Sequence, residues 1–177
     1  MPQAIRALAQ QRFFAHNLPF LNSRYRHYDL ATKFLYLEHS DDLTDLKKIR
    51  LDIFVKDFRG KKPEEAQTLV EACKRTTNQM SAVFVGNDPL LSSVGNDVLY
   101  YWLFRIATIE NWSEKLSRQS FIKFEQVRKE NRDTAEVDLS AANYNLMEYD
   151  RLVQSPNDSL ALKFRYRILG NFMKQLS

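Results

Sequence analysis

Apolar residues recur at intervals of three and four positions along most of the chain, the spacing of a helix with one buried face. Leu30, Phe34 and Leu37 follow it within residues 25–38. The same pattern predicts further helices near residues 3–15, 42–58, 63–85, 97–112, 113–131, 139–153 and 158–175. Only four glycines and five prolines interrupt the 177 residues, which favours helices over a sheet-rich fold. We therefore predict an all-α fold, a single compact domain over residues 1–177 with about seven or eight helices.

Polar segments predict where these helices end. Residues 86–97 hold two of the four glycines and read as a loop, in which Asn96 or Asp97 caps the following helix. Residues 131–138 are predicted to form a linker. Residues 76–78, Thr-Thr-Asn, predict a break within the helix that starts near residue 63.

The apolar stripes also predict the core. Ten side chains are expected to be largely buried: Leu30, Phe34, Leu46, Ile53, Leu99, Trp102, Leu103, Ile106, Phe124 and Phe172. Aromatic residues make up 12% of the chain and could instead form platforms on which nucleic-acid bases stack. Because most of them fall at helix-core spacing, core packing is the preferred interpretation.

Composition predicts a soluble protein of the cytoplasm. Hydrophobic residues make up 44% and charged residues 27% of the chain, close to the average for globular domains. The single cysteine, Cys73, excludes an internal disulfide, and no secretory signal pattern is evident. The longest apolar runs, such as residues 98–104, are much shorter than the roughly 20 residues that cross a bilayer. We expect neither a membrane span nor an anchor.

The distribution of charge suggests one candidate binding surface. The net charge is +4, and residues 151–177 contain five cations against Asp158 alone. Clustered cations attract phosphates or acidic protein surfaces. Lys163, Arg167 and Lys174 fall on one side of the last predicted helix. The patch could be extended, if the fold brings them together, by Arg128, Lys129 and Arg132 and by Arg24, Arg26 and His27.

No catalytic motif can be written from the sequence. Glycine occurs only at positions 60, 86, 95 and 170, which excludes a P-loop and a dinucleotide fingerprint. The three histidines lack the spacing of a helical metal site, and Cys73 has no recognisable partner. The triplet Asp45-Leu46-Lys47 is better explained by charges at a helix start than by nuclease chemistry. We predict no enzymatic activity, no cofactor and no metal.

Four stretches together resemble a known family. They are residues 29–58 (DLATKFLYLEHSDDLTDLKKIRLDIFVKDF), 80–105 (MSAVFVGNDPLLSSVGNDVLYYWLFR), 124–132 (FEQVRKENR) and 146–172 (LMEYDRLVQSPNDSLALKFRYRILGNF). The chain resembles the helical back half of the ParB/sulfiredoxin-like (GmrS-type) proteins of GmrSD restriction and phage-defence systems. Members of that family carry an Asp-Gly-Gln-Gln-Arg signature in a ParB-like front half, and some add an HNH-type nuclease domain. No glycine here follows an aspartate, so none of the family's catalytic residues has a counterpart.

The resemblance implies a non-catalytic helical portion, either part of a longer protein or a separately encoded subunit. Its expected role is that of a protein-interaction or scaffold module, and its expected partner is a ParB-like domain or a co-encoded subunit. The alternative is a module that binds DNA or RNA through the basic face of the last helix. That alternative predicts a steep loss of affinity as salt rises.

Overall fold

In the computed structural model, which describes residues 1–176, α-helices are joined by short turns and no strand is present among those residues. The helices are α1 (Pro2–Ala9), α2 (Arg26–Ser40), α3 (Lys48–Asp57), α4 (Pro63–Val83), α5 (Val94–Ile109), α6 (Arg118–Val137), α7 (Tyr144–Leu152) and α8 (Ser159–Gln175). The connections include a π-helical turn at Phe13–Asn17 and several single 3₁₀ turns. The all-α prediction is confirmed. None of the described helices combines the length and apolar character needed to cross a bilayer.

Helix α5 lies at the centre of the molecule. Every residue from 98 to 104 is buried, so water is excluded from all sides of this helix. A helix that is apolar around its whole circumference is stable only when other elements enclose it. Helices α2, α4 and α8 pack directly against α5. The remaining helices are arranged around this group.

Aromatic contacts connect α5 to its neighbours. The ring of Tyr101 stacks on that of Phe34 from α2, with centroids 4.0 Å apart. On another side, Phe121 of α6 lies 4.7 Å from Tyr100 and 5.0 Å from Phe84, the residue that follows the last turn of α4. Buried aromatic pairs add specific geometry to the general gain from apolar burial. These contacts join α2, α4, α5 and α6 into one core.

Helices α6, α7 and α8 form a second part of the same core. Phe124 of α6 lies 5.2 Å from Tyr149 of α7 and 5.1 Å from Phe172 of α8. The carboxylate of Asp158 caps α8 by accepting hydrogen bonds from the backbone N–H groups of Leu160 and Ala161. The start of α8 is therefore close to the predicted position.

The predicted core is confirmed at seven of its ten positions: Leu30, Phe34, Leu46, Leu99, Trp102, Leu103 and Phe124 are buried. Ile106 and Phe172 are partly buried against the core. The prediction for Ile53 is wrong, since 46% of this residue is exposed. Helix α3 turns a different stripe inward, made of Leu51 and Phe54, and continues it with Phe58 in the following turn.

Several predicted boundaries also differ from the structure. Helix α3 begins at Lys48, since residues 43–47 belong to no helix, and α5 begins at Val94, within the predicted loop. Helix α4 continues through residues 76–78, where the hydroxyl of Thr77 donates to a carbonyl of the same helix. Helices α1 and α7 are shorter than the predicted helices at residues 3–15 and 139–153. Helix α6 begins later than the predicted residue 113.

The predicted linker at 131–138 is the last part of α6, which ends at Val137. Asn131 accounts for the difference. Its Nδ2 donates to the carbonyl of Asn143 at 3.1 Å, and its Oδ1 accepts from the N–H of Asn143 at 2.6 Å. A polar side chain within α6 thus forms hydrogen bonds with the residue that caps α7.

Gly95 provides a test of this packing. A β-carbon at this position would lie 2.6 Å from Cβ of Pro156, whereas at Gly170 the nearest atom would be 3.8 Å away, an ordinary contact. We expect Gly95→Ala to destabilise the fold by about 1–3 kcal/mol through overpacking. Gly170→Ala, inside α8, should be neutral or stabilising by up to about 1 kcal/mol, since alanine favours helix. Urea denaturation of both variants measures the difference, and equal stabilities would contradict the packing of α5 against the turn before α8.

Candidate interaction surfaces

The predicted basic face of α8 is largely neutralised by carboxylates from elsewhere in the chain. Nζ of Lys163 lies 2.7 Å from Oδ2 of Asp42, and Nζ of Lys174 lies 2.7 Å from Oε2 of Glu110. Arg167 is exposed, with its guanidinium 4.9 Å from the ring centroid of Phe164. Both ion pairs are about half exposed, so each contributes little to stability. They nevertheless leave Arg167 as the one cation of the three without a carboxylate within 4 Å among residues 1–176.

The proposed extension on α6 serves mainly to hold α6 against α7. Arg128 is 8% exposed, and its guanidinium binds the carboxylates of Glu125 and Asp150. Burial acts to lower the pKa of Arg128, but the two carboxylates outweigh it and the net direction is upward. Arg132 binds the other oxygen of Asp150 at 2.8 Å. Lys129 is exposed and has no carboxylate within 4 Å in the described part of the chain.

Arg165, which contributes to the positive charge of residues 151–177, lies in the interior. It is fully buried and donates from Nη2 to Oδ1 of Asn96 at 2.7 Å. Its guanidinium also lies 4.9 Å from the ring centroid of Tyr149. Burial of this cation removes a further charge from the surface that the sequence pattern had indicated.

A second basic segment, which the sequence reasoning missed, carries more charge than the C-terminal one. Residues 47–62 contain seven lysines and arginines against Asp52 and Asp57, a net charge of +5, while the whole chain carries +4. Lys47 contacts Asp45 and Asp158, and Lys48 contacts Asp52 at 3.8 Å. Within residues 1–176, no carboxylate oxygen lies within 4 Å of the other five cations, Arg50, Lys56, Arg59, Lys61 and Lys62.

Two isoleucines lie among these cations. Ile49 is 68% exposed and Ile53 is 46% exposed, one helical turn apart on α3. Ile53 was predicted to be buried, but Leu51 and Phe54 occupy the inward side of α3. We call the exposed side chains of residues 48–62 the α3 surface. It combines apolar anchors with unpaired positive charge, a composition suited to contact with an acidic surface.

Helices α2, α4 and α5 enclose a polar cluster around Cys73. The carboxylate of Glu38 accepts hydrogen bonds from the hydroxyl of Tyr101 and from Nε of Arg105, the latter at 3.1 Å. Cys73 is completely buried, and burial raises the pKa of its thiol far above the ordinary range. The thiol is therefore protonated at neutral pH and is not an activated nucleophile.

The function of this chain has to be inferred from the side-chain chemistry of these surfaces. Comparison of the chain with models of known families, with curated proteins and with solved structures finds no match. Among residues 1–176, no three His, Cys, Asp or Glu side chains are grouped so that they could hold a metal ion. The unpaired cations and exposed isoleucines of the α3 surface are the most distinctive of the contact groups described above.

Asp97 in the first turn of α5 provides a test of the interior. Its side chain is fully buried, and neither carboxylate oxygen has a hydrogen-bond partner. Burial raises the pKa of Asp97 well above the ordinary value, against the weaker opposing effect of Arg26. The folded state thus holds a proton that the unfolded state releases above about pH 4. This contribution to stability is present at acid pH and is lost as pH rises towards the folded pKa.

We expect Asp97→Asn to flatten the dependence of stability on pH above about pH 4, where the unfolded carboxyl ionises, because asparagine cannot ionise. The contribution of Asp97 to the stability of the parent should fall by about 1.4 kcal/mol for each unit of pH over the range in which this carboxyl is ionised only in the unfolded state. Urea denaturation at several pH values measures this slope. Asp133→Asn, at an exposed position of α6, is the matched control and should retain the parental slope. An unchanged slope in Asp97→Asn would contradict a protonated interior carboxyl.

Proposed function

We propose that this chain is a non-catalytic helical interaction module that binds an acidic protein partner through the α3 surface. The observation that carries the proposal is the position of Ile49 and Ile53, both exposed, on the same helix as Arg50 and Lys56, two cations that have no carboxylate partner within residues 1–176. Each feature alone is common on protein surfaces. Their combination on one short helix is typical of a contact surface.

The isoleucines provide the apolar part of the contact. Transfer of a whole isoleucine side chain out of water is worth about 1.5–3 kcal/mol, and the exposed fractions of Ile49 and Ile53 leave much of this gain available to a partner. A few anchors of this kind dominate the affinity of most protein interfaces. Two isoleucines one turn apart fit an apolar groove, or the apolar face of a helix, on the partner.

The cations determine which partner fits. Positive side chains around an apolar centre attract a negatively charged surface, increase the association rate and disfavour basic partners. A partner with Asp and Glu residues around an apolar pocket would pair with Arg50 and Lys56 on α3. Nucleic acid offers phosphates to these cations but has no apolar surface of matching size for the isoleucines on its backbone. The preferred partner is therefore a protein.

The family resemblance suggests the identity of the partner. Residues 29–58, one of the four stretches that resemble GmrSD-type proteins, contain most of α2 and all of α3. We propose that the partner is a ParB-like domain or a co-encoded subunit of a restriction or phage-defence system. In that proposal the chain is the helical back half of a longer protein or a separate helical subunit. A cytoplasmic location belongs to the same proposal.

Binding of DNA or RNA is the second candidate function. The five unpaired cations of the α3 surface favour it there rather than on α8, where Lys163 and Lys174 are ion-paired. Phosphate contacts release counterions, so the logarithm of the affinity for duplex DNA would fall with a slope of about −0.9 per neutralised phosphate as salt rises. Apolar contacts with a protein would be less sensitive to salt.

Variants of the α3 surface distinguish the two functions. The chain is used as bait in extracts, and the captured protein is purified and titrated against each variant. We expect Ile49→Ser with Ile53→Ser to weaken binding to that protein by at least about tenfold and to leave any DNA binding unchanged. Arg50→Glu with Lys56→Glu should abolish either interaction. Lys163→Glu with Arg167→Glu is the matched control on α8 and should bind as the parent does.

Two results would contradict the proposal. One is full retention of the captured protein by the isoleucine variant. The other is tight, steeply salt-dependent binding of duplex DNA or of a single-stranded RNA that only the charge variants weaken, which would establish the second function instead. Circular dichroism confirms that each variant keeps the helical content of the parent.

A further inference from the structure

An open groove lies between α1 and the start of α2, and none of the residues that line it belongs to the α3 surface. Its volume is about 380 Å³. The residues that line it are Pro2, Ile5, Arg6, Arg24, Tyr25, Tyr28, Asp29 and Thr32. Two aromatic rings and two guanidinium groups thus share one concave surface. The proposed function above makes no use of this groove.

The aromatic side of the groove is a stacked pair of tyrosines. The rings of Tyr25 and Tyr28 are 5.8 Å apart between centroids and inclined by 21°. Tyr25 is nevertheless 73% exposed, so much of its ring remains accessible to solvent. A large exposed ring that is already held nearly parallel to a neighbour can accept a further planar ring with little loss of side-chain freedom.

The backbone that presents these side chains is strained. Arg24 has a φ of 53° and Tyr25 a φ of 61°, both in the left-handed region, which residues with a β-carbon rarely adopt. Neither residue is buried, so core packing does not explain the conformation. The two consecutive left-handed residues form the entry to α2, where both side chains line the groove. Strain of this kind is concentrated at ligand-binding sites.

The groove carries positive charge that is not paired with carboxylates. Arg6 and Arg24 are exposed and have no carboxylate within 4 Å among residues 1–176. The one carboxylate that lines the groove, Asp29, is paired with Nζ of Lys33 at 2.8 Å. Guanidinium groups bind phosphate through paired, charge-assisted hydrogen bonds. The groove therefore offers an anion site beside an aromatic platform.

We propose that this groove binds a nucleotide, with its base stacked on Tyr25 and its phosphate held by Arg6 and Arg24. A nucleotide unites a planar ring and a phosphate at the short separation that one groove of this size spans. The same base and phosphate are found in a free mononucleotide and in one nucleotide of a single-stranded nucleic acid. The binding experiment distinguishes these two sources.

Calorimetric titration of the full chain with AMP, GMP, adenosine, inorganic phosphate and a short single-stranded RNA tests the site. The nucleotides should bind saturably, while adenosine and phosphate, which each satisfy half of the site, should bind at least about tenfold more weakly. Tighter binding of the RNA than of AMP and GMP would identify a strand as the source, and equal or weaker binding a free nucleotide. No saturable binding of AMP, GMP or RNA at millimolar concentration would overturn the proposal.

Variants then assign the binding to the groove. Tyr25→Ala should weaken nucleotide binding by about tenfold or more, and Tyr25→Phe, which keeps the ring, should not. Arg24→Asn should weaken it without lowering the melting temperature, since asparagine tolerates the left-handed backbone. Arg12→Asn, an exposed position outside the groove, is the control. Parental affinity in both Tyr25→Ala and Arg24→Asn would overturn the assignment. Arg50→Glu with Lys56→Glu should bind nucleotide normally, so this test is independent of the α3 surface.

Discussion

The enclosure of α5 determines the arrangement of the other helices. Because residues 98–104 are buried without exception, each side of α5 has to be covered by another helix. Helices α2, α4 and α8 use their apolar stripes for this purpose, and Phe121 brings α6 to a further side. Their outer faces then hold charged residues. Helix α3 packs mainly against α2 at the periphery, which leaves both of its isoleucines exposed to solvent.

The same arrangement divides the cations into two groups. Several of those on α6 and α8 connect elements: Lys163 joins α8 to the turn after α2, Lys174 joins α8 to the end of α5, and the Arg128–Asp150 pair joins α6 to α7. The cations of α3 and the following turn have few carboxylates beside them. A high local density of lysine and arginine therefore does not by itself identify a binding surface, because folding neutralises some clusters and leaves others free.

The sequence correctly predicts the burial of an element when its apolar pattern is compatible with only one way of packing. Helix α5 has apolar residues on every side, so its burial follows from composition alone. The segment 42–58 instead contains two overlapping stripes, one through Leu46, Ile49 and Ile53 and the other through Leu51, Phe54 and Phe58, and only tertiary contacts decide between them. The pairing of Lys163 with Asp42, 121 positions apart, has no local signature either. For this reason the sequence pattern indicates the face of α8 as a binding surface and does not distinguish the α3 surface.

The central claim is that more free positive charge lies on the α3 surface than on α8. Nuclear magnetic resonance of the ¹⁵N-labelled chain during titration with poly-L-glutamate tests it directly, because the polymer reports which cations are available to an acidic ligand. The account predicts that the largest shifts fall on backbone amides of residues 48–62, with small changes along α8. Shifts centred on Lys163, Arg167 and Lys174, with residues 48–62 unaffected, would contradict it.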